Sequence, residues 1–464
     1  MDITGKIVNA RGLTAEAQAQ LAELVSVYNA HASANEEKRR YYDGHVSLRE
    51  VNLGLALPNG VRDLEIGCAW GEKTVDVLAA RSMFDGFVGT NGADAERMTR
   101  IMQANRLRAE YMKAVKDELK YGCVFATLSK DHSVGCRIRF HSPETAAAVW
   151  DGEKGRIAYG MAVVDMAQDT ISKNWSPSMI NLYTDNSVWV ITRGADNAEW
   201  TAKEFRHIMG RPLMEPFAWS ATSAKPFGRS RLKEPIRRLI QGYVRTVANA
   251  TIGLEFATSP QKYLLGLTDD QYDAVINQKF RTYVGSIIAS TTNPETGEKP
   301  SFGQLPQGTI EPHVSMLRLL ATQFSAATGL TVTDVGVVND ANPTSSEAIL
   351  AQSQTLVLMA EQLNAGNSDS LYTVSQMAQA IERNVSLEDL TDEEKSIVPH
   401  FKNPAMPSVS VTADAAIKIA SVRPNFAGTD VFAEMIGFDQ ADIRRIKAQE
   451  QRARGAAVLT EFEE

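Results

Sequence analysis

The sequence predicts an α+β protein, in which a mixed α/β region over residues 1–224 is followed by long helices. Two observations predict this class. Short runs of alternating apolar and polar residues, typical of strands, dominate residues 137–200. Amphipathic patterns of helical period then occupy the centre of the chain. A chain of 464 residues is long enough for two to four domains with a substantial hydrophobic core.

Helices and strands alternate through the N-terminal region. Residues 14–40 have helical periodicity, with Leu21, Leu24, Val25 and Tyr28 on one face, and the pattern ends at a glycine. A second, single helix is predicted over residues 93–120. Strands are predicted, with glycine- and proline-containing turns between them, at residues 123–128, 137–140, 157–164, 179–183 and 188–192.

The central segment opens with a turn at Pro226–Gly228, after which a helix is predicted over residues 229–256. Arg231, Arg238 and Arg245 lie seven residues apart, which would place all three on one helix face. The plainest interpretation is a surface helix with solvated arginines. An apolar seam with steps of four and three is predicted at Leu232, Ile236, Leu239, Tyr243, Val247, Ala250 and Leu254.

Two further helices follow in the centre of the chain. Glu311–Pro312 opens a helix that Gly329 stops. Thr344 and Glu347 have the spacing of a capping box at the start of a third helix, which is predicted to be interrupted at residues 365–367. The first two helices flank an insert over residues 261–310, and helical patterns return after Pro404 and over residues 429–454.

Composition excludes several classes of protein. A net charge of −8 argues against a surface that binds nucleic acid throughout, so any such contact must be local. Three cysteines without metal-ligand spacing predict reduced thiols in an intracellular protein, and the seven histidines form no zinc-like pattern. The sequence has no apolar run of roughly 18 residues and no apolar N-terminal segment. We therefore expect no metal, no cofactor, no membrane span and no secretory signal.

One stretch has the character of an enzyme motif. Residues 63–71 place acidic residues before glycines, which is typical of the cofactor-binding opening of S-adenosylmethionine-dependent methyltransferases. Ala69 stands where a middle glycine is expected, and too little chain precedes the motif for a buried parallel strand. The sequence contains neither a phosphate-binding loop nor a nucleophile elbow. We expect no enzyme and keep the methyltransferase as an alternative.

Four short motifs in the centre of the chain are informative together: Pro226–Ser230 with the helix that follows, Ser259–Gly266, Ala326–Leu330 and Asn342–Ala348. Through these residues the chain resembles the portal proteins of tailed phages, of the siphophage type. The resemblance begins near the start of the chain and extends across most of it. The order and spacing of the motifs make it specific, although no single motif does.

The resemblance implies a portal fold with a mixed α/β wing, a helical stem, a small α/β clip and a helical crown. The implied regions are a wing at residues 1–224, a stem helix at 225–260, a clip at 261–310, a second stem helix at 311–330, a tunnel loop at 331–343, and a long helix with the crown at 344–464, part of it returning to the wing.

The resemblance also implies a function. The expected assembly is a dodecameric ring at one vertex of the capsid, in the virion and earlier in the host cytoplasm. Double-stranded DNA would pass through the ring without sequence-specific contacts. The implied partners are the terminase, the head-tail adaptor and the major capsid protein, with the scaffold as a further candidate. Another head assembly protein stays open as an alternative, although head-tail adaptors are usually much shorter.

Candidate site residues follow from this interpretation. DNA-channel contacts are predicted at Arg231, Arg238, Arg245, Asp334, Asn339, Asp340 and Asn342. Partner docking is predicted at Asn293, Glu295, Glu298 and Lys299. The arginines have a competing assignment, in which they pair with acidic residues of the neighbouring subunit around Glu311 and keep the ring closed.

Overall fold

The predicted α+β class is confirmed by the computed structural model, which contains long helices and antiparallel sheets. The structure describes residues 5–47, 65–90, 95–131, 133–168, 173, 175–194, 199–258, 262–265, 297, 301–304, 309–336, 346–405, 409–438, 442–443 and 445–453.

The helices are α1 (Ala15–Tyr42), α2 (Trp70–Ala79), α3 (Glu96–Ala104), α4 (Leu107–Tyr121), α5 (Glu234–Thr258), α6 (Glu311–Thr328), α7 (Ser346–Arg383), α8 (Asp392–Lys395), α9 (Val409–Val422) and α10 (Asp430–Ile436). The strands are β1 (His45–Ser47), β2 (Glu65–Gly67), β3 (Phe84–Gly89), β4 (Cys123–Asp131), β5 (Gly135–His141), β6 (Ala146–Asp151), β7 (Arg156–Gln168), β8 (Trp175–Tyr183), β9 (Ser187–Arg193), β10 (Trp200–Arg206), β11 (Met214–Ala218), β12 (Lys262–Leu265), β13 (Ser301–Gln304) and β14 (Ile397–Phe401).

A five-stranded antiparallel sheet forms one part of the N-terminal region, with strands β6 to β10 in chain order. Helix α1 packs on one of its faces, and the Thr14 side chain accepts a hydrogen bond from Ala17 N at 3.2 Å, which caps the helix. The predicted apolar face of this helix is confirmed, because its four residues are buried against the sheet. The sheet side of this core consists of Ala147, Met161, Val163, Ile180, Leu182, Trp189 and Ile191.

The larger core lies around a three-stranded sheet of order β11-β4-β5 and a two-stranded sheet of β14 and β3. Helix α7 crosses this core, with Leu371, Val374, Met377 and Ala378 fully buried. Strand β14 pairs antiparallel with β3, so a segment from the C-terminal part of the chain lies beside an N-terminal strand. We call this larger core, together with the five-stranded sheet and α1, the body.

The predicted single helix over residues 93–120 is wrong, because the helix is broken between α3 and α4. Asn105 Nδ2 donates to Cys136 O at 2.7 Å, and Asn105 Oδ1 accepts from Ile138 N at 2.9 Å. These bonds tie the break to strand β5, and Arg106 takes the left-handed conformation with φ of 50°. The buried asparagine therefore ends one helix and docks the next one against the sheet.

The predicted interruption at residues 365–367 is also wrong, since α7 continues through it. Asn367 lies inside the core, where its Nδ2 donates to Tyr111 Oη at 2.9 Å and to Glu118 Oε2 at 2.8 Å. Ser82 Oγ lies 2.9 Å from the same tyrosine oxygen. A residue that is typical of loops is therefore stabilised in mid-helix by two partners on α4, and Ser82 extends this network through Tyr111.

Glu118 is the acidic member of this buried network. Its side chain is fully buried, and its Oε1 has no hydrogen-bond partner among the residues that the structure describes. Burial raises the pKa of Glu118 to about 8, while the hydrogen bond from Asn367 lowers it by a smaller amount. The carboxyl group is therefore largely protonated in the folded protein at neutral pH.

This pKa predicts a specific pH dependence of stability. Between the ordinary glutamate pKa and about 8, the folded state binds a proton that the unfolded state has released, so the free energy of unfolding falls as pH rises. Glu118→Gln should remove this fall and be more stable than the parent chain at pH 9 by roughly 1–3 kcal/mol. Urea unfolding at pH 5, 7 and 9 measures it, with the surface substitution Glu110→Gln as control. Equal slopes for parent and Glu118→Gln would contradict the assignment.

Candidate functional site

The candidate site is the pair of helices α5 and α6 and its attachment to the body. Residues at every fourth position of α5 are buried, namely Ile236, Ile240, Val244 and Ala248. The predicted seam of alternating steps is therefore wrong beyond Ile236. Its later members are half-buried, and Leu254 is 43% exposed. The pattern failed because the body contacts a face of α5 that the seam did not include.

Close packing of the two helices depends on a small residue. A Cβ atom added to Gly242 of α5 would lie 3.2 Å from Leu320 Cδ2 of α6, so a larger residue would require the Leu320 side chain to move. The predicted limits of α6 are confirmed: Pro312 lies in its first turn, and Gly329 ends it with φ of 73°.

Trp70, the first residue of α2, attaches both helices to the body. Its ring centroid lies 4.4 Å from that of Tyr243 on α5 and 4.5 Å from that of Phe324 on α6. Tyr41 adds a second contact, because its hydroxyl accepts a hydrogen bond from the Gln241 side chain. The base of the helix pair is thus held by aromatic side chains from α1 and α2.

The motif at residues 63–71 belongs to this attachment. A Cβ atom added to Gly71 would lie 2.0 Å from Tyr41 O, so the glycine allows α2 to touch the backbone at the end of α1. Strand β2 is three residues long and pairs antiparallel with β1. In the described part of the motif the glycine therefore serves helix packing, and the geometry does not favour the methyltransferase alternative.

Arg231 occupies a different place from the one predicted. Helix α5 begins at Glu234, so Arg231 precedes the helix and does not share a face with Arg238 and Arg245. Its side chain is buried, with Nε donating to Thr74 O and Nη2 donating to Thr328 O, both at 2.7 Å. The predicted three-arginine face is wrong for this residue, because its guanidinium is inside the protein and cannot reach DNA.

The buried guanidinium connects four segments of the chain. Besides its bonds to α2 and to the end of α6, its Nη1 lies 3.4 Å from Met359 Sδ on α7, and its carbon atom Cζ lies 5.9 Å from the Trp219 ring centroid. Burial lowers the pKa of Arg231 to about 10, so it remains charged at neutral pH. A cation at the last carbonyl of α6 is also favoured by the helix dipole.

The other two arginines of the predicted face, Arg238 and Arg245, are at the surface of α5. The Arg238 side chain is 70% exposed and pairs with Glu234 Oε1 at 3.3 Å, four residues earlier on the same helix. Arg245, seven residues further along, is half-exposed. The helix also carries an arginine contact that the spacing did not single out: Arg237 Nη2 lies 3.3 Å from Glu37 Oε2 on α1. Its position next to Arg238 gave no sequence signal of this role.

The far half of the helix pair extends from the body. Ala248 is the last buried residue of α5 among those whose side chains are described, and roughly 15 Å of helix follows it at 1.5 Å per residue. Three large apolar side chains lie exposed on this half, Leu254, Met316 and Leu319. Strands β12 and β13, which follow α5 and precede α6 in the chain, pair with each other as an antiparallel ladder. The insert thus leaves and rejoins the helix pair through paired strands.

The remaining predicted site residues are only partly described. Asp334 closes a turn after α6, with its Oδ2 accepting from Thr331 N at 3.0 Å and from Thr331 Oγ1 at 2.8 Å. Residues outside the described part of the chain are Asn339, Asp340 and Asn342 of the predicted loop and Asn293, Glu295, Glu298 and Lys299 of the insert.

Two negative findings concern the described residues alone. No group of three or more histidine, cysteine, aspartate or glutamate side chains is arranged there to hold a metal ion. None of the helices in this part of the chain combines the length and apolar character needed to cross a membrane.

One protein family is identified by comparison with known proteins. The profile described as "Phage portal protein, SPP1 Gp6-like" matches residues 22–455. The chain is similar to a solved structure titled "Virion of native gene transfer agent (GTA) particle", with 12% identity, 80% of this chain and 89% of that chain covered, and a TM-score of 0.45. It is also similar to a solved structure titled "Neck of empty GTA particle computed with C6 symmetry", with 12% identity, 88% of this chain and 98% of that chain covered, and a TM-score of 0.44. No curated protein sequence matches significantly.

Of the three arginines predicted to share one helix face, Arg231 should be the one on which stability depends. Arg231→Met should lower the free energy of unfolding by about 2–3 kcal/mol, since it leaves the terminal carbonyl of α6 without its buried donor. Arg231→Lys should recover only part of the loss, because an ammonium lacks the fork that reaches both carbonyls. Arg238→Met, at the surface, should change stability by less than about 0.5 kcal/mol. Urea unfolding followed by tryptophan fluorescence distinguishes them, and a stable Arg231→Met protein would refute the role.

Proposed function

The chain belongs to the SPP1 Gp6-like phage portal protein family, and we propose that it forms a closed ring through which double-stranded DNA enters and leaves a capsid. The observation that carries this proposal is the family match, which spans residues 22–455. Portal proteins of this family are structural proteins and not enzymes. The motor for DNA movement would then be a separate ATPase, which agrees with the lack of a phosphate-binding loop in the sequence.

Subunit contacts in the proposed ring would involve the helix pair. One row of α6 has steps of four and three residues, and every side chain in it is exposed: Pro312, Met316, Leu319, Gln323 and Ala326. This spacing is typical of a seam between helices. A largely apolar row that no described residue of its own chain covers supports contact with the next subunit. A dodecamer of cyclic symmetry would repeat one such head-to-tail contact until the ring closes.

DNA contacts in the proposed channel would come from surface charges of α5 and from the segment after α6. Arg238 and Arg245 remain as candidates, whereas Arg231 is excluded by its burial. Backbone phosphates attract arginines regardless of sequence, and a small number of such contacts allows DNA to slide. The net charge of −8 agrees with a channel that holds DNA weakly. We propose that residues 331–343 form the loop that lies beside the DNA.

The insert over residues 261–310 would carry the external contacts. It connects the ends of α5 and α6 that lie beyond the buried part of the helix pair, which supports a position at one end of the channel. We propose that it docks the terminase during packaging and the head-tail adaptor afterwards. The wing and crown would contact the major capsid protein, with the scaffold as a further partner, in the virion and during assembly in the host cytoplasm.

Electron microscopy of the purified full-length chain tests the assembly. We expect rings with a central hole and a mass by light scattering roughly ten times that of the 50.8 kDa chain. Adding the terminase should place extra density at the end of the ring formed by the β12–β13 strands. A monodisperse monomer at tens of micromolar would overturn the ring. Density at the opposite end would overturn the docking role while leaving the ring intact.

Charge reversal at Arg238 separates the channel from the subunit interface. Arg238→Glu should leave rings intact and lower DNA packaging or retention if the residue faces DNA, because it replaces an attraction with a repulsion. Loss of rings would instead indicate pairing with a neighbouring subunit. Arg206→Glu is the matched control, since that arginine is 83% exposed on β10 and also pairs with a nearby glutamate, Glu204. Normal rings with normal packaging would show that Arg238 contacts neither DNA nor a neighbouring subunit and is a solvated surface residue.

A further inference from the structure

A cavity of about 590 Å³ separates the body from α10 in the C-terminal part of the chain. Its body side is formed by Met83 and Phe401, and its other side by Val431, Met435 and Phe438. Val431 and Phe438 are 59% and 44% exposed, so apolar packing across this boundary is incomplete. Charged and polar groups, among them His400 and Glu434, also line this boundary.

One imidazole spans the gap between the two parts. His400, on strand β14, has Nδ1 at 3.7 Å from Asp85 Oδ2 and Nε2 at 3.6 Å from Glu434 Oε2. Asp85 lies on β3 in the body and is 2% exposed, whereas Glu434 lies on α10. A protonated imidazole carries a positive charge and an N–H on both nitrogens, so it attracts both carboxylates at once. A neutral imidazole has lost this charge and one of the two N–H groups.

Other charged groups surround the two carboxylates. Asp85 has a second cationic neighbour, since Arg108 Nη2 on α4 lies 3.1 Å from its Oδ1. Arg81 and Lys402 also line the cavity. Arginine and lysine side chains remain charged across the physiological range. Histidine is therefore the member of this group whose charge changes near neutral pH.

We propose that the C-terminal helices are docked on the body by a histidine latch, in which protonated His400 bridges Asp85 and Glu434. When the imidazole loses its proton the bridge opens, and α10 is released from the body. This goes beyond the proposed channel function and does not depend on ring formation. The two carboxylates raise the pKa of His400, and burial opposes them. By linkage, docking is favoured at low pH and is lost as pH rises through the raised value.

Hydrogen exchange of the full-length chain tests the latch. Peptides covering residues 430–436 should exchange roughly five times faster at pH 8.5 than at pH 6, after correction for the intrinsic rate, as expected for one partly exposed bridging charge. The same comparison for α7 should show no such change, which separates local release from general loss of stability. Limited proteolysis of the C-terminal helices gives an independent measurement.

Two substitutions make the outcome decisive. His400→Gln and Glu434→Gln should each give fast exchange in residues 430–436 at both pH values, since neither can form the charged bridge. His31→Gln, which changes an exposed histidine of α1, should keep the parent behaviour. The latch is overturned if the parent shows no pH dependence in this segment. It is equally overturned if the dependence survives in either substituted protein.

Discussion

The arrangement of this molecule depends on a buried guanidinium whose two shortest hydrogen bonds go to backbone carbonyls. Arg231 donates to backbone carbonyls of α2 and of the last turn of α6, and it contacts α7 and the Trp219 ring. Backbone acceptors have fixed positions, so the fork of the arginine sets the distance between these segments more rigidly than a flexible carboxylate would. The helix pair, the start of the predicted tunnel loop and the long helix therefore share one fixed point.

Aromatic packing extends this constraint to the rest of the attachment. Trp70 lies against Tyr243 and Phe324, and the adjacent Gly71 allows its helix to approach α1. The same residues gave the sequence its resemblance to a cofactor-binding motif. A glycine beside an acidic residue signals close backbone approach, but the sequence does not say whether the approaching group is a ligand or another helix. The structure shows that the group next to Gly71 is the backbone oxygen of Tyr41 on α1, so the close approach is between two helices.

Periodic elements could be predicted from the sequence, whereas the contacts of buried polar residues could not. Helix α1, with four apolar residues on one face, and α6, with Pro312 and Gly329 at its ends, followed from local signals. A continuous helix was predicted at Asn105, where the helix breaks, and a break was predicted at Asn367, where the helix continues. The sequence could not show this, because the partners of both residues come from distant strands and helices. The prediction that Arg231, Arg238 and Arg245 share one helix face was wrong for a related reason. A spacing of seven assumes one continuous helix, and Arg231 lies before that helix begins.

The pairing of β3 with β14 has a consequence for synthesis. The partners Gly89 and Ile397 are separated by most of the chain, and β3 has no other strand partner in the described structure. A ribosome must therefore translate beyond residue 401 before this edge can be covered, and contacts between such distant residues form slowly. Until then the growing chain presents an open strand. The exposed row on α6 is also synthesised before residue 401. Chaperone binding during translation would protect the open β3 strand and this row from premature association.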